Sequence, residues 1–417
     1  MPKTTPFHPR TSALCTSYAW KEWAGYIAIS NYDRHSEREY FAVRGAAGLL
    51  DVTPLFKYEI TGPDAGRFLA KLWTRDISKI SVGTVVYAVM TDENGEALDD
   101  GTVSRIGKNW YRMSSSEPWL HWLHRHSRGY DVQIEDSTDR IGALAIQGPK
   151  ARAILNPLID GFDLNKMRFF KKRRLKFAGG IEVQVSRTGY TGDLGYEVWC
   201  DAKDALKVWD AIVEEGQPHG LEPMGLDALD VCRIEAGFVL QGVDYLSARH
   251  CLSDFQLSSP YEIGLGWTVE LEREEPFLGH KRLIAESANP EWDIVGLELD
   301  WAELERLHEA ENVPPHLSPT ACRIAVPLFD ASGERQIGQV TSTVWSPLLK
   351  KYLAIAQVMK PWTSIGTECR VEYTVDFYRA DLGCKVVKKP FFDPPRKKST
   401  PGRAKKGAAV AKKEEAA

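Results

Sequence analysis

Residues 181–200 read I-E-V-Q-V-S-R-T-G-Y-T-G-D-L-G-Y-E-V-W-C. Ile181 to Arg187 alternates apolar and polar in the strand manner, and Tyr196, Val198 and Cys200 form the facing run. Gly189, Gly192 and Gly195 punctuate the connection, so the stretch reads as a hairpin with a glycine-rich tip. Glu197 lies mid-strand between Tyr196 and Val198, with Trp199 on its own face. A charge at such a position either faces water or has a partner.

Outward from the hairpin, Asp201 is placed to cap a helix whose inner stripe is Ala205, Trp209, Ile212 and Val213, ending at Gly216. A second helix is expected over roughly 225–236, before Gly237. Arg233 falls on its apolar stripe, four residues after Leu229 and three before Ala236. A guanidinium there needs an acceptor, from a structural pair or from a bound ligand.

Upstream, Phe56 to Ile60 alternates as a strand, stops at Gly62-Pro63, and leads to a helix carrying Phe68, Leu69, Leu72 and Trp73. Ile60-Thr61-Gly62-Pro63 is echoed by Ile146-Gln147-Gly148-Pro149, again before a helical run, which suggests two related strand–turn–helix halves. Asp99 and Asp100 follow the turn D-E-N-G. Neighbouring strand residues point to opposite faces, so only one of the two can line a given cavity. After about Glu286 short strands and turn signals indicate a separate small β-barrel or sandwich. The Pro-, Lys- and Ala-rich stretch from 394 lacks the apolar content to fold.

Composition excludes several classes. The 417 residues are 43% apolar and 26% charged, an ordinary globular balance, and no window approaches eighteen uninterrupted apolar residues. The formal charge of −4 hides a basic end: residues 396–417 carry about +6 and the body about −10, a poor surface for phosphate backbones. The seven cysteines are scattered and contain no CxxC, which fits a reducing cytoplasm better than a secreted framework. Residues 1–21 lack acids and weakly resemble a transit peptide, but Pro2, Pro6 and Pro9 break any helix there, and an ordinary N-terminus is expected. There is no GxxxxGK[ST], HExxH, GxSxG or strand–GxGxxG–helix. His121 and His124 would share a helical face with His126 nearby, but no acid or thiol completes a ligand set, and no metal site is expected.

The sequence nevertheless resembles a known family. S-R-T-G-Y-T-G-D-L-G-Y-E-V (186–198) is similar to the GYTGExGxE signature of the glycine-cleavage T-proteins, the folate-dependent aminomethyltransferases. D-V-C-R-I-E-A-G-F-V-L-Q-G (230–242) resembles their RLEAG segment, and N-G-E-A-L-D-D-G-T-V (94–103) their GGxxDDLxV segment. I-G-L-G-W-T (263–268), G-Q-V-T-S-T-V-W-S-P-L-L (338–349) and K-K-P-F-F (388–392) match later motifs, in order, from about residue 35 to 393.

The resemblance implies an α+β fold: a discontinuous two-lobed folate-binding core over 1–284, a C-terminal β-barrel over 285–395, and a disordered basic tail over 396–417. It implies tetrahydrofolate as cofactor. Asp100 resembles the carboxylate beside the reactive folate nitrogens, with Asp99 as the fallback. Glu197 resembles the acid that grips the pterin, and Arg233 the family's arginine, which would then find its acceptor in the ligand. Leu55, Tyr87, Tyr190 and Trp267 resemble residues lining the pterin and benzoyl channel.

Departures bear on the substrate. Thr53-Pro54-Leu55-Phe56 replaces the usual S-H-M after Asp51-Val52; Leu229 stands where the family has an arginine; Gly101 replaces an apolar residue; and Ser114 stands where the folate-contacting asparagine is expected. These changes resemble the branch that moves a methyl group from a small donor to tetrahydrofolate. The expected partner is therefore a small-molecule methyl donor, with a lipoyl carrier protein as the alternative, and with neither nucleic acid nor membrane. A non-catalytic folate-binding protein is a third reading, weakened because its reactive-cysteine KGC motif is absent.

Overall fold

The computed structural model describes residues 2–315, 317–318 and 320–401. Two sheets form the core. The seven-stranded sheet runs, in spatial order, Ile159–Asp160, Lys172–Phe177, Ile181–Ser186, Gly195–Asp201, Ile141–Gln147, Ala47–Asp51 and Leu221–Pro223. The five-stranded sheet runs Val85–Thr91, Ala97–Gly107, Trp110–Ser115, Phe56–Thr61 and Gln133–Asp136. Ala47–Asp51 thus belongs with strands more than ninety residues away, and the whole five-stranded lobe is inserted behind it. The core is discontinuous, as the resemblance implied.

Each sheet buries one apolar face against its own helices. Leu49, Leu144, Ile146, Val183, Val185, Tyr196 and Val198 pack on Ala205, Val208, Trp209 and Ile212 of the helix Ala205–Gly216. Asp201 caps the 3-10 turn leading into that helix by accepting from the Lys203 amide. On the other lobe Tyr58, Ile60, Val86, Ala88, Met90, Tyr111 and Met113 pack on Phe68, Leu69 and Leu72 of the helix Ala65–Leu72. The alternation that buries these residues puts their neighbours on the opposite faces, and those faces are polar. The five-stranded sheet presents Tyr87, Asp100, Thr102, Ser104, Arg112, Ser114, Lys57 and Glu59. The seven-stranded sheet presents Lys172, Gln184, Ser186, Glu197 and Trp199. The two polar faces meet: Arg112 Nη1 donates to Gln184 Oε1 at 2.8 Å, and its guanidinium lies 5.7 Å from the Trp199 ring centre.

The echoed motif is one local structure used twice. Gly62 (φ +123°) and Gly148 (φ +133°) each turn a strand into a helix, and a Cβ would come within 2.3 Å of the Asp131 carbonyl oxygen or 2.6 Å of that of Ala46. Only glycine meets both demands.

The C-terminal strands close into a six-stranded barrel, Trp292–Leu299, Lys351–Met359, Gln336–Ser346, Val326–Asp330, Glu368–Val375 and Tyr378–Val387. Cys369 pairs with Cys384 across the last two strands, and both are free thiols. Two expected boundaries need correction. The helix His280–Glu286 runs through residue 284, so the barrel begins later, near Trp292. The basic end is not loose from 396: Arg396 grips Asp193 with two bonds of 2.7 Å, and buried Arg187 donates to the carbonyls of Arg396, Lys397 and Ser399. Residues 402–417 of the expected tail lie outside the described residues.

Candidate active site

Asp100 lies on the inner face of the five-stranded sheet, the face of Tyr87 and Thr102. Tyr87 Oη donates to its Oδ2 at 2.6 Å and Tyr245 Oη donates to its Oδ1. Burial pushes its pKa up from the ordinary carboxylate value, and the two phenolic hydrogen bonds pull it back. Asp99 behaves differently. Paired with Met90, it lies on the apolar face, where it accepts from Trp119 Nε1 at 2.7 Å, Ser116 Oγ at 2.7 Å and the Ser116 and Glu117 amides at 3.2 Å. Burial first and then the Asp100 charge push its pKa to about 8. The fallback assignment to Asp99 is corrected: its oxygens are consumed in holding the 116–119 turn.

Aromatic rings wall the space around Asp100. Tyr87 stacks on Trp267 (6.1 Å between centroids, 27° between planes), and Trp267 keeps 64% of its surface exposed, marking an open side. Tyr190 stacks on Phe238 (5.4 Å, 25°) and donates to the Val239 carbonyl. The loop bearing Tyr190 wraps the Gln147 amide so closely that a Cβ at Gly189 or Gly195 would lie 1.9 or 2.2 Å from Gln147 Oε1. That contact, rather than hairpin geometry alone, explains both glycines.

Arg233 is fully buried and finds its acceptors inside the protein: Asp230 Oδ1 at 2.8 Å, Asp244 Oδ2 at 2.5 Å, Ser342 Oγ at 2.8 Å and the Phe238 carbonyl at 3.3 Å. This corrects the expectation of a ligand acceptor. Arg233 fixes Phe238 and ties the core helix to the barrel, while Asp244 also accepts from Thr341 and Ser342, each at 2.6 Å.

Glu197 stands on the facing sheet with Ser186 Oγ at 3.3 Å, and no hydrogen bond or ion pair joins it to Arg233 among the described residues. Burial raises its pKa and the Lys172 charge opposes that rise. Ser114 lies on the inner face beside Lys57, and Leu55 on the loop before it. On the inner face Ser114 Oγ is buried without a hydrogen-bond partner.

The sequence reading missed Tyr245, Lys57, Lys172 and the Glu59–Arg112 pair. Lys57 Nζ donates to the carbonyls of Thr53 (2.6 Å) and Leu55 (2.8 Å), fixing the loop that carries Leu55. Burial lowers its pKa from 10.5 to about 7. Between those values the unfolded chain binds a proton that the folded chain has released, so this group's contribution to stability rises with pH. Denaturation of wild type and Lys57→Met from pH 7 to 10 should show wild type gaining on the variant; a constant gap would mean Lys57 stays charged.

His126 of the helix Leu120–His126 packs on Trp122 at 4.3 Å, and among the described residues no three His, Cys, Asp or Glu gather as a metal site. No helix among them is long and apolar enough to cross a membrane.

This geometry can be set beside known proteins. The family model of the GCVT N-terminal domain matches residues 9–273, and that of the glycine cleavage T-protein C-terminal barrel domain matches 294–393. The chain belongs to the glycine-cleavage T-protein family. It is 32% identical over 376 residues to an aminomethyltransferase of Clostridium botulinum, covering 89% of this chain and 92% of that one. It is 33% identical over 405 residues to a trimethylamine-oxide aldolase of Ruegeria pomeroyi, covering 94% of this chain but only 47% of that protein. The glycine cleavage system aminomethyltransferase T of Bartonella henselae shares the fold, with a TM-score of 0.78 at 23% identity over 94% of this chain and 99% of that one. The family is one of enzymes that pass one-carbon units to tetrahydrofolate.

Proposed function

We propose that the chain is a tetrahydrofolate-dependent one-carbon transferase that takes its carbon from a small methylated donor. One observation carries the reading: a half-buried carboxylate, Asp100, held by Tyr87 and Tyr245 on the inner face of the five-stranded sheet, where Ser114 Oγ is buried without a hydrogen-bond partner. When bound, the folate supplies a nucleophilic nitrogen. Asp100 holds a proton acceptor at that point and moves a proton at its carboxylate oxygens, with the two tyrosines fixing their direction. Stacked Tyr87–Trp267 and Tyr190–Phe238 give flat apolar walls suited to fused and benzoyl rings.

Glu197 is the acceptor for the pteridine's paired N–H donors. Glu197→Gln should weaken tetrahydrofolate binding by about 1.5–3 kcal/mol, the scale of a charge-assisted hydrogen bond. An unchanged titration would remove the clamp from the account.

The small-donor reading rests on the Thr53–Leu55 loop, reshaped around Pro54 and pinned by Lys57, and gains support from a relative named for a trimethylated amine oxide. The aminomethyltransferase reading, with a lipoyl-bearing partner, has its own support in relatives covered over nine-tenths of their length. Incubation with tetrahydrofolate and a panel of methylated amines, amine oxides, sulfonium compounds and aryl ethers, beside an aminomethyl-lipoyl carrier, separates them. 5-Methyltetrahydrofolate from a small donor supports the first, and 5,10-methylenetetrahydrofolate from the carrier alone supports the second. Binding without transfer leaves a folate-binding protein. Seven free cysteines suit catalysis in a reducing cytoplasm.

A further inference from the structure

Lys172 is the charged group of the inner face that no described feature employs. It is 6% exposed, on the strand Lys172–Phe177, and faces Ser186; Ser186 in turn faces Glu197 on the next strand. Lys172 and Glu197 therefore stand on one face, separated by a single small residue. The ammonium lies 4.2 Å from the Trp199 ring centre. No hydrogen-bond acceptor and no carboxylate within ion-pairing distance serves it among the described residues. Burial and then the Arg112 charge push its pKa well below the ordinary lysine value, and the charges of Glu197 and Glu59 oppose that fall; an acceptor oxygen placed against the amine would favour its charged, donating form. An ammonium has three donors and no acceptor capacity, and at this nearly buried position the described residues give it no acceptor on which to use them. The arrangement calls for an acceptor atom from outside the chain, next to whatever Glu197 binds.

We propose that Lys172 sets the specificity of this pocket for 4-oxo pteridines by donating to the ring's oxo oxygen while Glu197 accepts from the adjoining N–H donors. The inference rests on the folate reading of the site and goes beyond it. Along one edge a 4-oxo pteridine offers donor, donor, acceptor: the 2-amino group, the N3 hydrogen and the oxo oxygen. A carboxylate followed by an ammonium offers acceptor, acceptor, donor, its complement. A 2,4-diaminopteridine puts an amine where the oxygen was and sets donor against donor. A site built to hydrogen-bond one group rejects an analogue that leaves its buried polar atoms unpaired. The Trp199 face under the ammonium keeps it over the ring and away from bulk water.

The test is a binding titration of the full chain with tetrahydrofolate and with its 4-amino-4-deoxy counterpart, using wild type, Lys172→Met, Lys172→Gln and Lys172→Arg, each first checked for folding by circular dichroism. Wild type should prefer the oxo ligand by about 10²-fold or more. Lys172→Met and Lys172→Gln should compress that preference to less than about tenfold, chiefly by losing affinity for the oxo ligand, while Lys172→Arg restores a donor and most of the preference. Wild type binding both ligands equally would overturn the inference without any variant. So would a Lys172→Met variant that weakens both ligands by one factor, since that is the mark of a structural support for Glu197. Wild type that binds neither ligand removes the folate reading itself and this inference with it. Wild type that binds tetrahydrofolate with unaltered discrimination in the variants removes the role of Lys172 alone.

Discussion

Asp100→Asn will lower turnover by about 10²-fold or more, the loss expected when a general acid–base group can no longer move a proton. Tetrahydrofolate affinity should stay within a few-fold, because asparagine keeps the shape and one acceptor for Tyr87 or Tyr245. Single-turnover rates with a competent donor, set beside equilibrium titration, make the separation. A variant that loses binding and rate together would recast Asp100 as a ligand anchor, and full activity would dismiss it from the chemistry. Asp99→Asn is the matched control: it leaves the cavity face untouched and reports on the Trp119–Ser116 turn, so stability should move and rate should not.

The second large effect belongs to Arg233. Arg233→Met should destabilise the fold by about 3–5 kcal/mol, since removing one member of a buried ionic group leaves the others uncompensated. Asp230 would retain Arg323 Nε at 2.5 Å, but Asp244 would keep only neutral donors: the Leu240 amide and the Thr341 and Ser342 hydroxyls. Equilibrium denaturation measures the loss. Adding Asp244→Asn to Arg233→Met should recover part of it, since the stranded charge is then gone. A loss below about 1 kcal/mol would show that the barrel is held to the core by other contacts.

The contrast between Arg233 and Glu197 shows what a linear sequence carries. The alternation 196, 198, 200 placed Glu197 on the face opposite the helices, and the structure has it there, because a two-residue period leaves a strand residue no other choice. Helical spacing likewise placed Arg233 on a buried stripe. Its partners were less legible. Asp230 sits three residues earlier on the same helix, a spacing that could have identified it, but Asp244 lies in an irregular loop and Ser342 over a hundred residues on. Tyr245 was invisible for the same reason: no periodicity governs the segment that delivers it to Asp100. The basic end was misjudged from its low apolar content. What fixes residues 396–400 is a guanidinium on backbone carbonyls and an arginine on Asp193, contacts that need little hydrophobic area.

Arg187 immediately precedes the glycine-rich loop that carries Tyr190, and it takes carbonyls from the last described turn of the chain. During synthesis those carbonyls emerge two hundred residues after the guanidinium that binds them. The lobes can assemble as they leave the ribosome, yet the glycine-rich loop must wait for residues 396–399 before its anchor is in place. A nascent polypeptide halted after the barrel would hold nearly finished lobes whose glycine-rich loop is unfastened on one side.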